Sequence, residues 1–169
     1  MPNITLLIAQ SLDGYVATED GSVAWLDDFN NFDNEDYGFN LFYESIDTVI
    51  EGNTTYKQFE AKHEGKFHYV FSHKEYFSDN SLKYVAGNVK TFIDGLDQQH
   101  QNIFLIGGPN LMSQFLLENL IDSMIICTMP VLLGAGISLF TADEFTEIEL
   151  RIKLTQIYAN GVVKVEYQL

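Results

Sequence analysis

The sequence predicts an α/β fold: a mostly parallel central sheet flanked by helices and closed by an antiparallel hairpin. Three observations carry this expectation. Apolar, β-type runs alternate with helical patterns from Ile4 to Leu117, an order that favours parallel strands with crossover helices. Two of those strands end in glycine and pass at once into a helix, at Gly52 and at Gly107-Gly108. Near the C-terminus, Asn160-Gly161 separates two alternating stretches, a signature of a type I′ hairpin.

The elements follow in order. Ile4 to Ala9 is an apolar run suited to a central strand, continued by Gln10 to Ala17 through a polar break at Asp13-Gly14. A turn at Glu19 to Ser22 leads to Val23-Ala24-Trp25-Leu26, with the sole tryptophan, and to an acidic loop from Asp27 to Glu35. Asp36 to Ile46 reads as a helix because Phe39, Phe42, Tyr43 and Ile46 recur at helical spacing, with Asn34 as its N-cap. Asp47 to Glu51 is a short strand, and Gly52-Asn53-Thr54-Thr55-Tyr56 opens a helix. Further strands are His68 to Ser72, Leu82 to Val85, Ile103 to Ile106 and Ser123 to Thr128. Val89 to Asp97 is helical, as is the stretch after Gly107-Gly108, where Leu111, Phe115 and Leu116 share a face. Pro130 to Gly136 is a glycine-rich connection. Glu147 to Ala159 and Val162 to Leu169 form the final hairpin. No repeat, low-complexity segment or linker interrupts residues 1–169, which read as one domain.

Composition narrows the functions. The formal net charge is −15 over 169 residues, which opposes nucleic-acid binding, since that needs a basic face. No apolar run approaches the ~20 residues that span a bilayer, and no basic segment precedes the first apolar run. A cytoplasmic protein is expected. The single cysteine, Cys127, lies in an apolar run and reads as a small core residue rather than a reactive thiol. No Cys/His zinc cluster stands out.

The two glycine turns carry the chemistry. Glycine leaves no Cβ between backbone and ligand, and helix-start amides have no intrahelical partner and favour an anion. A phosphate suits both Gly107-Gly108 and Gly52 to Thr55. A plain strand-to-helix turn explains Gly107-Gly108 equally well, and an ordinary capped helix explains Gly52 to Thr55 better when that motif is taken alone. The G-x-G-x-x-G spacing of an ordinary dinucleotide fold is absent.

Taken in order, Ala9 to Gly14, Gly52 to Tyr56, Ser72-His73-Lys74, Ile106 to Asn110 and Pro130 to Phe140 resemble the motifs of the dihydrofolate reductase-like fold. The nearest branch holds the reductase domain of the riboflavin-biosynthesis deaminase-reductase, and the resemblance covers nearly the whole chain. It implies a reductase that passes hydride from NADPH, or NADH, to a small pterin- or pyrimidine-like heterocycle. By this resemblance Ala9 and Val16 flank the nicotinamide, and Gly52, Asn53, Thr54 and Thr55 start the helix that touches the phosphates. Ser72, His73 and Lys74 border the adenosine end, and Gly107, Gly108, Pro109, Asn110 and Leu111 wrap the pyrophosphate. Trp25, Asp36 and Tyr56 are the implied substrate contacts, with Trp25 closing over the ring. The resemblance also implies a homodimer formed through the apolar C-terminal half.

The chain departs from the pattern in places. Relatives often carry a basic residue where Asn53 stands, so recognition of a 2′-phosphate falls to His73, Lys74 or Lys57. No Lys or Arg lies between Met1 and Tyr56, which disfavours a substrate bearing a ribose phosphate. Reduction of a C=N bond delivers hydride to carbon and a proton to nitrogen, and a carboxylate near the ring can orient or polarise it. The family acid maps onto Asp36, where partial burial would raise its pKa. Acids are also favoured in a first helical turn by the helix dipole alone. Asp27 and Asp28, beside Trp25, are the fallback, and Asp13 reads as a turn former. A nucleotide-binding module without turnover and a purely structural dimerisation domain are the rival functions.

Overall fold

A computed structural model describes residues 1–30, 32–74, 82–141 and 147–169. The chain runs β1 (Asn3–Ser11), β2 (Tyr15–Ala17), a 3₁₀ turn (Ala24–Leu26), α1 (Asp27–Asn30), α2 (Phe39–Glu44), β3 (Thr48–Gly52), α3 (Asn53–Phe59) and β4 (Phe67–Phe71). It continues through β5 (Lys83–Val85), α4 (Val89–Asp94), β6 (Asn102–Gly107), α5 (Pro109–Leu117), β7 (Ser123–Met129), β8 (Ile137–Ser138), β9 (Arg151–Ile157) and β10 (Val163–Gln168). The main sheet has the order β5-β4-β3-β6-β1-β7-β10-β9. All neighbours from β5 to β7 are parallel, and β10 pairs antiparallel with both β7 and β9. A small antiparallel pair, β2-β8, sits apart.

Strand alternation sorts the core onto two faces. Ile50, Ile103, Leu105, Ile4 and Leu6 point to one face, where Val89 and Ile93 of α4 and Leu111, Met112, Phe115 and Leu116 of α5 cover them. Val49 and Phe104 point to the other, packed by Ile46, Phe42 and Tyr43 around α2. β1 and β6 lie at the centre with helices on both sides, so their apolar runs are continuous rather than alternating. Cys127 is buried in a third cluster, and burial pushes its thiol up to about 11. It is a core residue, as its apolar context implies.

Four expectations shift. The helix expected over Asp36 to Ile46 is α2, Phe39–Glu44, with Gly38 as N-cap at φ 79 rather than Asn34. Asn34 sits in the preceding turns at φ 54, and the Asp36 carboxylate serves the helix start from outside it. The helix expected over Val89 to Asp97 stops at Asp94, where Gly95 caps it. Val23 to Leu26 yields a 3₁₀ turn, and the acidic loop begins with α1; its Asn31 lies outside the described residues. The terminal hairpin forms, but not through a two-residue type I′ turn. Only Gly161 has positive φ, at 86, and the Tyr158 amide bonds the Val162 carbonyl at 2.9 Å around a three-residue connection. The Asn160 side-chain amide instead donates to Tyr37 Oη at 2.6 Å, which holds it out of the left-handed region.

Asp13 behaves as the turn former it resembles. Its carboxylate accepts from the Leu133 amide at 3.1 Å and the Gly134 amide at 2.8 Å, tying the β1–β2 break to the glycine-rich connection. Among the described residues, no helix is long and apolar enough to cross a membrane.

Candidate functional site

The carboxyl ends of the parallel strands open into a cleft of about 1070 Å³. Strand ends of an open α/β sheet are where ligands bind. Leu7, Ile8, Val16, Val23, Leu26 and Ile106 give it an apolar inner wall, and Lys57 and Lys74 bring cations beside the His73 imidazole. The expected cofactor residues all line it: Ala9, Val16, Gly52, Asn53, Thr54, Thr55, Ser72, His73, Lys74, Gly107, Gly108, Pro109, Asn110 and Leu111.

The two glycine turns meet there. A Cβ added to Gly52 would lie 3.4 Å from the Gly108 amide nitrogen and 3.6 Å from the Gly107 carbonyl oxygen. A Cβ added to Gly108 would lie 3.1 Å from Thr55 Oγ1. The Gly107–Gly108 peptide is cis, and Gly107 has φ 138, a conformation open to glycine. Gly52 caps α3 and Gly108 caps α5, each with no side chain to fill the first-turn amides. Pro109 at the first position of α5 has no amide to leave unpaired. Backbone donors, absent Cβ atoms and nearby cations together make a cradle suited to a pyrophosphate.

The expected substrate residues are placed differently. Asp36 accepts from the Gly38 amide at 2.8 Å and the Asn40 amide at 3.0 Å. These backbone hydrogen bonds, Gly38 first, hold its pKa below the ordinary 3.8, opposite to the expected rise. The carboxylate is engaged at the start of α2 and does not line the cleft. Trp25 packs in the cluster with Cys127, Met129 and Val162, while its neighbours Val23 and Leu26 reach the cleft. Tyr56 lies on the face of α3 that packs against the sheet, its ring 5.7 Å from His68 and 6.3 Å from Tyr84. Among the described residues, Asp27 is the one carboxylate lining the cleft.

Thr141, just past the Pro130 to Phe140 motif that supplies Ile137, carried no sequence signal, and only the fold brings it to the cleft. Gln58 closes the rim by donating to the Gly21 carbonyl at 2.9 Å.

The capping role of Asp36 has a measurable consequence. Asp36→Ala is expected to cost about 1 kcal/mol of stability, the usual scale for a lost helix cap. Because the folded pKa is depressed, the contribution of the ionised group is present above the unfolded value and is lost as pH falls through the folded one. Urea denaturation at neutral pH checks the cost. Repeating it at acid pH should shrink the gap between parent and variant.

Comparison with known proteins agrees with this architecture. The sequence profile of the RibD C-terminal domain matches residues 82–164. The uncharacterized protein YwjB of Bacillus subtilis (strain 168) is 38% identical over 165 residues, covering 93% of this chain and 92% of YwjB. A crystal structure of a protein from Shewanella sp. PV-4, assigned to riboflavin biosynthesis, superposes with TM-score 0.85 at 27% identity, covering 98% of both chains. Dihydrofolate reductase from Enterococcus faecalis, complexed with NADP(H), superposes with TM-score 0.67 at 11% identity over 98% of this chain and 95% of its own, a likeness of fold. The chain has the dihydrofolate reductase-like fold and belongs to one family with YwjB, its residues 82–164 matching the RibD C-terminal domain.

Proposed function

We propose that residues 1–169 form one reductase domain that binds NADPH, with NADH the alternative, and passes hydride to a small pterin- or pyrimidine-like heterocycle. The observation that carries this reading is the meeting of the two glycine turns at one cleft. Gly108 to Leu111 and Gly52 to Thr55 would hold the pyrophosphate. Ser72, His73 and Lys74 would border the adenosine end. A bound nicotinamide supplies the hydride. The apolar wall from Leu7, Val16 and Leu26 excludes water from the ring, and Asp27 would orient the substrate by accepting from a ring N–H and holding a proton near its nitrogen. This replaces Asp36 as the leading acid, because Asp36 is engaged by backbone amides. The cleft's lysines, Lys57 and Lys74, lie with the cofactor residues, which favours a ring without a ribose phosphate. NADPH oxidation against a panel of pterins and pyrimidines tests the reading. Binding without oxidation of any member would reduce the protein to a nucleotide-binding module.

The active form is proposed as a cytoplasmic homodimer. β9 is an edge strand with every residue exposed, and Ile152, Leu154 and Ile157 are 65%, 49% and 74% exposed. An uncovered apolar edge is a pairing surface, and two copies related by a two-fold axis cover it. Light scattering is expected to give about twice the 19.2 kDa chain mass. Ile152→Lys should return the protein to a single chain. A parent that scatters as one chain at high concentration overturns the dimer.

A further inference from the structure

Outside the cleft, three titratable side chains converge on the α2 side of the sheet. Glu51 is the penultimate residue of β3, His68 lies on the adjacent β4, and His63 comes from the connection between α3 and β4. Their side chains are 2%, 3% and 8% exposed. We propose that Glu51, His63 and His68 form a binding site for a divalent transition metal, with zinc the best match.

The geometry carries the argument. His68 Nε2 lies 2.8 Å from Glu51 Oε1, and His63 Nε2 lies 4.0 Å from the same oxygen. The two imidazoles stand perpendicular, at 87°, with centroids 4.6 Å apart. One ligand atom from each residue falls within 4.8 Å of the others. The Glu51–His68 hydrogen bond accounts for two of the three groups. It leaves His63 Nε2 buried, aimed at the same carboxylate and without a hydrogen-bond partner. Such an atom costs free energy unless something satisfies it. A cation between the three groups satisfies the His63 nitrogen, the His68 nitrogen and the carboxylate together.

The surroundings suit a metal ligand. His63 Nδ1 lies 2.7 Å from Tyr43 Oη, an outer-shell contact that holds the orientation of the ring, as such contacts do in metal-bound histidines. Two imidazoles and one carboxylate select zinc-like ions over calcium or magnesium, which need oxygen ligands. Zinc bonds of about 2.0–2.2 Å place neighbouring ligand atoms near the separations seen here after small side-chain rotations. Lys66, whose Nζ lies 4.4 Å from the Tyr43 ring centroid, opposes the cation. Its ammonium is turned onto the Ile46 carbonyl at 2.7 Å. His63 reaches the site from a segment whose Glu60, Lys62, Glu64 and Gly65 are exposed, which gives an ion a path of entry. Once bound, the ion would pin the α3–β4 connection onto β3, immediately before the Gly52 turn.

Calorimetric titration of the chelator-treated protein with zinc chloride tests this without any activity assay or cofactor. Saturable binding of one ion per chain is expected, and cobalt(II) in its place should give visible bands of a low-coordinate N/O site. His63→Ala should weaken zinc binding by more than about 100-fold, and Tyr43→Phe by about 10- to 100-fold, the usual outer-shell scale. Glu51→Gln should match His63→Ala. If it does not fold, His63→Ala alone decides, since it alters a side chain carried by an exposed connection. No zinc binding by the parent, or parent-like binding in His63→Ala, overturns the proposal.

Discussion

Asp27→Asn is expected to lower turnover by about 10²-fold or more, the usual scale for a lost acid-base group, while leaving cofactor affinity unchanged. Asp27 is the one carboxylate among the described residues that line the cleft. It sits where the 3₁₀ turn Ala24–Leu26 passes into α1, next to Leu26 and near Val23, which contribute to the apolar wall. A ring seated against that wall places its nitrogens by a carboxylate rather than by water. The asparagine keeps the shape and removes the charge, so a loss reports on proton handling rather than packing. The matched Asp36→Asn variant should turn over like the parent, because Asp36 lies outside the cleft and the one amide oxygen still accepts from one of the two helix-start amides. Parent-like turnover in Asp27→Asn would exclude it, and a loss in Asp36→Asn would restore the sequence-based candidate.

These two aspartates show how far the sequence could be read. The strand–helix alternation placed nearly every element, because buried parallel strands need long apolar runs and their helices need one apolar stripe. The glycine turns were visible because close backbone approach admits no other residue. Asp36 was misplaced because Phe39, Phe42, Tyr43 and Ile46 set the helical period but not its start. The left-handed Tyr37 and Gly38, at φ 54 and 79, break the helix ahead of Phe39. Trp25 was assigned to the ring pocket by the family resemblance alone. In the fold it packs, partly buried, against the cluster of Cys127, Met129 and Val162. The convergence of Glu51, His63 and His68 had no sequence signature at all. Strand pairing of β3 with β4 brings together residues whose spacing matches no local ligand motif.

The acidic balance of the chain raises a question that the site answers locally. A net charge of −15 repels a dinucleotide, yet Lys57, His73 and Lys74 are gathered at one cleft. Fixed donors at short range outweigh distant carboxylates, whose field decays over a Debye length of about 8–10 Å in physiological salt. Cofactor affinity should therefore depend on the backbone cradle more than on overall charge.

Gly108→Val tests that cradle and is expected to weaken NADPH binding strongly. The position suits the experiment because its backbone, at φ −82 and ψ −172, is open to any residue. Extended geometry also agrees with the Pro109 that follows. Gly107, at φ 138, would confuse strain with occupancy. At Gly108 the added Cβ meets Thr55 Oγ1 at 3.1 Å, and the branch carries further atoms into the space between the two glycine turns. If those atoms crowd the pyrophosphate by about 1–3 kcal/mol, the usual scale of overpacking, affinity falls by about 5- to 150-fold, with any loss of direct phosphate contact adding to it. Gly108→Ala should show a smaller effect in the same direction, and Thr55→Ala in the Gly108→Ala background should relieve the protein contact. If Gly108→Val keeps the parent's circular dichroism and binds NADPH as tightly in a fluorescence titration, the pyrophosphate is not seated between the two turns, and the cofactor assignment fails with it.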